Sequence, residues 1–276
     1  PRLPEPVRLE AVTAFNDWAR PNGKDRVTGL WRPLLPRSGP EAARYLSVLD
    51  GVLTSSTPAG LKAGLLATAA RHKWVGLAPA AFALLQDEKQ PVKCRVAALH
   101  FLSDVEAKQM TNAVNLAGAS KLPELRIAAL RYVAKSMKGD ELTALLARLL
   151  DTGTLGERQN GYRLLGELPG PAADQLLAQR LDDLLAGKIP GEVQLDLKEA
   201  ASRHSAPIVK EKLAACQEQL HDLSGAAQYP DCLVGGDAEN GQRIFREHVQ
   251  AACIRCHKIN GEGGEAAPDL TQIGFR

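Results

Sequence analysis

Near its C-terminal end the chain reads Cys253-Ile-Arg-Cys256-His257, the one cluster whose residue types and spacing carry recognisable chemistry. Two thiols three positions apart on a tight turn can reach the two vinyl groups of a single porphyrin and form thioethers. The adjacent imidazole can then direct Nε2 at the iron from the proximal side. The pattern therefore predicts one covalent haem c, held by Cys253 and Cys256, with His257 as the metal ligand. Two other chemistries use a C-x-x-C pair. A redox dithiol expects a thioredoxin-like βαβ setting, whereas helix-forming residues dominate here. Half of a zinc site expects a second Cys pair, and none follows.

Elements on either side must hold that turn. Upstream, Asp237 is a good N-cap for a helix in which Ala238, Ile244 and Phe245 form an apolar side. Downstream come Gly261-Glu-Gly-Gly264 and Ala267-Pro-Asp-Leu270. Taken together, these segments and the C-x-x-C-H motif resemble the opening of a class I cytochrome c. In that family the helix before the motif packs on a C-terminal helix, and a Pro after the Gly-rich loop offers its carbonyl to the proximal His. The resemblance implies that Pro268 orients His257, a partner expected behind any ligating imidazole.

The family continues to a distal ligand, usually Met, and to a closing helix. From Gly235 to Arg276 there are 42 residues, and both methionines, Met110 and Met137, lie upstream. The expectation is a cytochrome domain cut after its first half. A sixth ligand from His248 or from a repeat histidine is one alternative, and an open coordination position is another. The start at Pro1, without an initiator Met or leader, leads to the further expectation of an excerpt from a larger exported protein, located in the periplasm or otherwise outside the cytoplasm.

The rest of the chain is repetitive. Segments beginning at Leu61, Cys94, Leu125, Glu157 and Leu195 share a pattern, with starts 33, 31, 32 and 38 residues apart. Companion helices are predicted at Pro79–Leu85, Glu141–Leu150, Ala172–Leu181 and Ile208–Cys216, because apolar residues recur there every three or four positions. Pro, Gly and Asp punctuate the gaps. A lone helix pair cannot bury both apolar faces, so pairs must stack. An earlier, less regular unit is expected over Val7–Trp18 and Glu41–Val52, with Trp31–Pro36 as an extended insertion. The predicted fold is all-α: a solenoid of HEAT-like helix pairs over residues 1–224, a linker at 225–235, and an incomplete cytochrome c domain at 236–276.

Helical repeats followed directly by this cytochrome opening resemble the haem-binding proteins of the planctomycete and verrucomicrobial type. There a β-propeller dehydrogenase-like domain often precedes the repeats, and Asp25–Leu34 fits their repeat region. The resemblance implies an electron-transfer module that accepts electrons from an upstream dehydrogenase domain or redox partner protein. It is not expected to turn over substrate alone. A scaffold whose tail binds no haem is the rival reading, and a protein partner on the repeat face is compatible with both.

Composition narrows these readings. Aromatics are 4% of residues, which favours helices over sheets, and the net charge of +2 carries no nucleic-acid footprint. No apolar run approaches the ~20 residues of a membrane span. Cys94 reads as a small core residue, and whether Cys216 and Cys232 pair stays open. His72 and His100 read as ordinary helix positions, and His204 and His221 as helix-end cations.

Overall fold

The computed structural model describes residues 3–21, 23, 25, 28, 30–37, 53–54, 57–218, 228–248 and 250–275. The helix expected over Glu41–Val52, His221 and the first part of the 225–235 linker lie outside those residues. The described chain is mainly helical and forms two compact units, Pro1–Leu164 and Leu165–Arg276. No described helix is long and apolar enough to cross a membrane.

In the first unit, α1 (Glu5–Asn16), α2 (Ala59–Arg71), α4 (Val92–Asp104) and α6 (Pro123–Ser136) pack side by side in sequence. Between them come α3 (Ala78–Gln86) and α5 (Met110–Gly118), each packed on its flanking first-layer helix and on the other. α5 is a companion helix that the apolar periodicity did not single out. α7 (Gly139–Thr152) and α8 (Leu155–Leu165) continue the order. The result is a solenoid-like stack of consecutive helix pairs. Its core alternates Leu66, Leu85, Leu99 and Leu102 with Ala69, Ala98, Ala113 and Ala129, all buried. The alanines let helix backbones approach, and the leucines fill the remaining space.

Proline sets many of the helix starts. Pro58 and Pro91 precede α2 and α4, while Pro123 opens α6. Its missing N–H costs nothing where helix donors are unpaired anyway. The ends repeat as well. Lys73 and Glu106, 33 residues apart, both take left-handed backbone (φ 54° and 52°) just after α2 and α4. In each case the next amide reaches back five residues, Trp74 to Ala69 and Ala107 to Leu102, both at 2.9 Å. These are Schellman caps built without glycine.

Arginine holds the second position of three of the five repeat segments, at Arg95, Arg126 and Arg158. Arg95 Nε donates to the Leu85 carbonyl at 2.9 Å, and an Arg126 NH group donates to the Ser120 carbonyl at 2.8 Å. Each closes the end of the companion helix before it. Arg126 also donates Nε to Glu157 at 2.6 Å. Glu157, 5% exposed, accepts from the Thr154 N–H at 2.9 Å and from its hydroxyl at 2.7 Å. Thr154-Leu-Gly-Glu157 is thus one side of a capping box at the start of α8.

In the second unit, α9 (Pro171–Leu185) packs on α11 (Pro207–Glu218), and α10 (Gln194–Ser202) touches both. Gly166 sits where a Cβ would fall 2.8 Å from the Ala200 Cα, so only glycine fits that approach. His204 is buried, with Nδ1 2.7 Å from Asp174 Oδ1 and Nε2 3.0 Å from the Leu165 carbonyl. It does meet a helix-end carbonyl, but as an interior clamp rather than as a solvated cation. Residues 228–235 dock on the turn before α10: Lys198 Nζ lies 3.2 Å from a buried Asp231 carboxylate. A Cβ on Gly235 (φ +77°) would fall 2.3 Å from the Glu192 carbonyl oxygen.

The Arg126 hydrogen bond, helped by Thr154 and opposed by desolvation, holds the Glu157 carboxyl at about 2 against an ordinary 4.5. Because the folded value is depressed, the contribution is complete above pH 4.5 and is lost as pH falls toward 2. At most about 3 kcal/mol follows from a shift of that size. Chemical unfolding of the wild type is therefore expected to weaken across this window. Glu157→Gln is expected to be less stable at pH 7 by about 1–3 kcal/mol and to lack this part of the acid dependence.

Candidate cofactor-attachment site

The site is assembled by α12 (Ala238–Glu247), a turn, a hairpin and a returning strand of chain. Asp237 caps α12, its side chain accepting from the Asn240 N–H at 2.9 Å. His248 ends the helix, and its Nδ1 accepts from the Ala251 N–H at 3.1 Å. Ala252 then takes left-handed backbone (φ 47°), which redirects the chain into the 3-10 turn Cys253–Arg255. The Cys256 and His257 amides both donate to the Cys253 carbonyl, at 3.2 and 2.9 Å. The two thiols and the imidazole therefore share a single turn.

Next, β1 (Lys258–Ile259) and β2 (Glu262–Gly263) pair antiparallel, with Lys258 opposite Gly263. Asn260 (φ 50°) and Gly261 (φ 82°) form the tip, the left-handed pair a two-residue hairpin requires. The Asn-Gly dipeptide is the local signal for this hairpin, within the stretch expected above as a Gly-rich loop. Arg246 on α12 pairs with Glu262 at 2.9 Å. Lys258 pairs with Glu265, which lifts the lysine above the usual amine range and lowers the carboxyl.

Gly263 and Gly264 lie directly against the attachment turn. A Cβ on Gly263 would fall 2.2 Å from the His257 carbonyl oxygen, and one on Gly264 would fall 1.9 Å from that of Arg255. The Gly264 N–H donates to the Ile254 carbonyl at 2.9 Å. The chain then returns alongside the turn, with Ala267 N–H on Cys256 O at 2.8 Å and Leu270 N–H on Lys258 O at 2.9 Å. Between these two links, His257 Nδ1 lies 2.8 Å from the Pro268 carbonyl oxygen. A carbonyl only accepts, so Nδ1 is the donor, and in the neutral ring this leaves the lone pair on Nε2.

The donor set suits a porphyrin with an iron at its centre. Two thiols and an imidazole share one turn, and only Nδ1 of that imidazole is engaged, with the Pro268 carbonyl. The packing agrees: no described residue from Cys232 to Gly274 is buried, and Ile244 on α12 is 40% exposed. Among the described residues the apolar side of α12 joins no buried core, and a large apolar group would complete one. Among the described residues no group of three or more His, Cys, Asp or Glu side chains is placed to hold a metal ion alone.

Cys216 is a buried free thiol and Cys232 an exposed one, so the two are not joined. Cys94 is buried in the core, where desolvation raises its thiol pKa. His100 Nδ1 lies 2.7 Å from the Tyr132 hydroxyl, and burial lowers its pKa. His72 stacks near Phe15, with ring centroids 5.5 Å apart.

The cytochrome c family model matches residues 238–275. No curated protein and no solved structure matches the chain. The match covers the C-terminal segment alone. It supports a c-type cytochrome domain there, and with it covalent haem binding, electron transfer and a redox partner.

Gly264→Ala is expected to destabilise this segment by about 1–3 kcal/mol, because a backbone carbonyl occupies the Cβ position. Faster amide exchange at Gly264 and Ala267 would report it. Gly236→Ala, whose Cβ meets nothing within 4 Å, is expected to leave those amides unchanged.

Proposed function

We propose that the C-terminal segment carries one covalent haem c, with Cys253 and Cys256 as the thioether positions. His257 would ligate its iron, and Pro268 is the acceptor that orients the ring. The observation that most directly supports this reading is the 2.8 Å approach of His257 Nδ1 to the Pro268 carbonyl, beside two thiols on the same turn. The bound group supplies one-electron chemistry at iron. The chain's own part is to attach it, aim one ring nitrogen at it and shield its apolar faces.

The wider setting is an electron-transfer part of a larger exported, dehydrogenase-like protein, with a HEAT-like array as its scaffold. Electrons would enter from an upstream dehydrogenase domain or a partner protein and leave to a periplasmic acceptor. The order of repeats and cytochrome opening supports this setting. The scaffold reading draws on a different observation. A groove across α4, α6 and α8 has an apolar floor that includes Val96 and Ile127, flanked by Arg131 and Arg163. A protein partner on that face fits either reading.

Exporting the chain in a host with c-type maturation tests the proposal. Intact mass is expected to rise by one haem that survives acid–acetone extraction, and the reduced form to show a c-type α-band. The Cys253→Ala/Cys256→Ala double variant is expected to lose the added mass. A wild-type chain that matures without added mass would leave the scaffold reading as the better account.

A further inference from the structure

We infer that Asp269 and Thr271 are positioning residues for His257, holding the Pro268 carbonyl against its Nδ1 and so setting how strongly the ring donates to the haem iron. The inference rests on the haem reading above.

Four links join residues 256–260 to residues 267–271. In order they are Ala267 N–H to Cys256 O, His257 Nδ1–H to Pro268 O, Leu270 N–H to Lys258 O, and Asn260 N–H to Thr271 Oγ1. Pro268 has no N–H, so its own amide cannot tether it. The position of its carbonyl depends on the links to either side. The last link is the only one of the four whose acceptor is a side chain outside the site already described.

That acceptor is itself aimed. Asp269 Oδ1 accepts from the Thr271 N–H at 2.8 Å and from the Thr271 hydroxyl at 2.5 Å. With its proton committed to Asp269, the Thr271 hydroxyl turns a lone pair toward the Asn260 N–H, 2.9 Å away. Asn260 is the left-handed residue at the hairpin tip. The turn at 269–271 is thereby fastened to the hairpin that begins directly after His257. Pro268, Asp269 and Thr271 are all exposed. Burial does not hold the carbonyl in place, so the closed turn has to.

A hydrogen bond from Nδ1 to a fixed carbonyl makes the ring a more basic ligand, which favours the ferric state. Loosening the turn should weaken that bond and favour the ferrous state. Partners of ligating imidazoles typically matter by about tenfold or more, and tenfold corresponds to 59 mV for a one-electron couple.

The test is a redox titration of matured protein, with intact mass recorded to confirm attachment. Thr271→Val and Asp269→Asn are expected to shift the reduced-to-oxidised ratio at the wild-type midpoint about tenfold toward reduced. Thr271→Ser, which keeps the hydroxyl, is expected to stay within about twofold. Any variant that matures incompletely is titrated on its haem-bearing fraction. Wild-type midpoints in both Thr271→Val and Asp269→Asn would overturn the inference. So would a shift in Asp269→Asn alone, which would mark a charge effect rather than positioning. A wild-type chain without haem mass would overturn the underlying reading instead.

Discussion

The hydrogen bond between the His257 ring and the Pro268 carbonyl demands that two stretches of chain eleven residues apart run close together. Most of the C-terminal segment can be understood as what that approach requires. The chain has to reverse, which the Asn260-Gly261 tip does with two left-handed residues. The reversal has to be tight, so Gly263 and Gly264 lie where any Cβ would strike the turn's own carbonyls. The returning strand is then secured by backbone links on both sides of Pro268. The chemical outcome is a fixed ring orientation, with Nδ1 as the donor to the Pro268 carbonyl.

This economy has a physical counterpart in the burial pattern. The stacked helices of each unit bury Leu and Ala side chains, whereas no described residue from Cys232 to Gly274 is buried. The C-terminal segment is organised by hydrogen bonds and by the Arg246–Glu262 pair, with its apolar helix face left partly exposed. Exposed hydrogen bonds and surface ion pairs contribute little each. A segment of this kind gains most from burying its apolar side against a large apolar group. That requirement fits the cytochrome c match over residues 238–275.

The repeats hold together by a different logic. Leu and Ala fill the space between helices, and arginines at equivalent positions satisfy carbonyls at the ends of companion helices. The Arg95 side chain is buried, and its Nε meets a fixed carbonyl there. Where the chain leaves the repeats, the Lys198–Asp231 pair and the close approach of Gly235 to Glu192 fasten residues 228–235 to the last helices. The stretch expected to be a linker is, in its described part, docked structure.

Local order was legible in the sequence. Five segments at near-regular spacing became α2, α4, α6, α8 and α10, because a 3.6-residue apolar period and flanking prolines act within a dozen residues. Asp237 was readable as a cap for the same reason, and the C-x-x-C-H spacing by itself puts two thiols and an imidazole on one turn. The tertiary structure alone decided the contacts that join distant residues: Arg126 to Glu157, His204 to Asp174 and Leu165, and Thr271 to Asn260. None of these leaves a periodic trace. A polar residue reads the same in a sequence whether it faces water or a partner eleven to 39 positions away, and only the packing of the chain between them settles which one it meets.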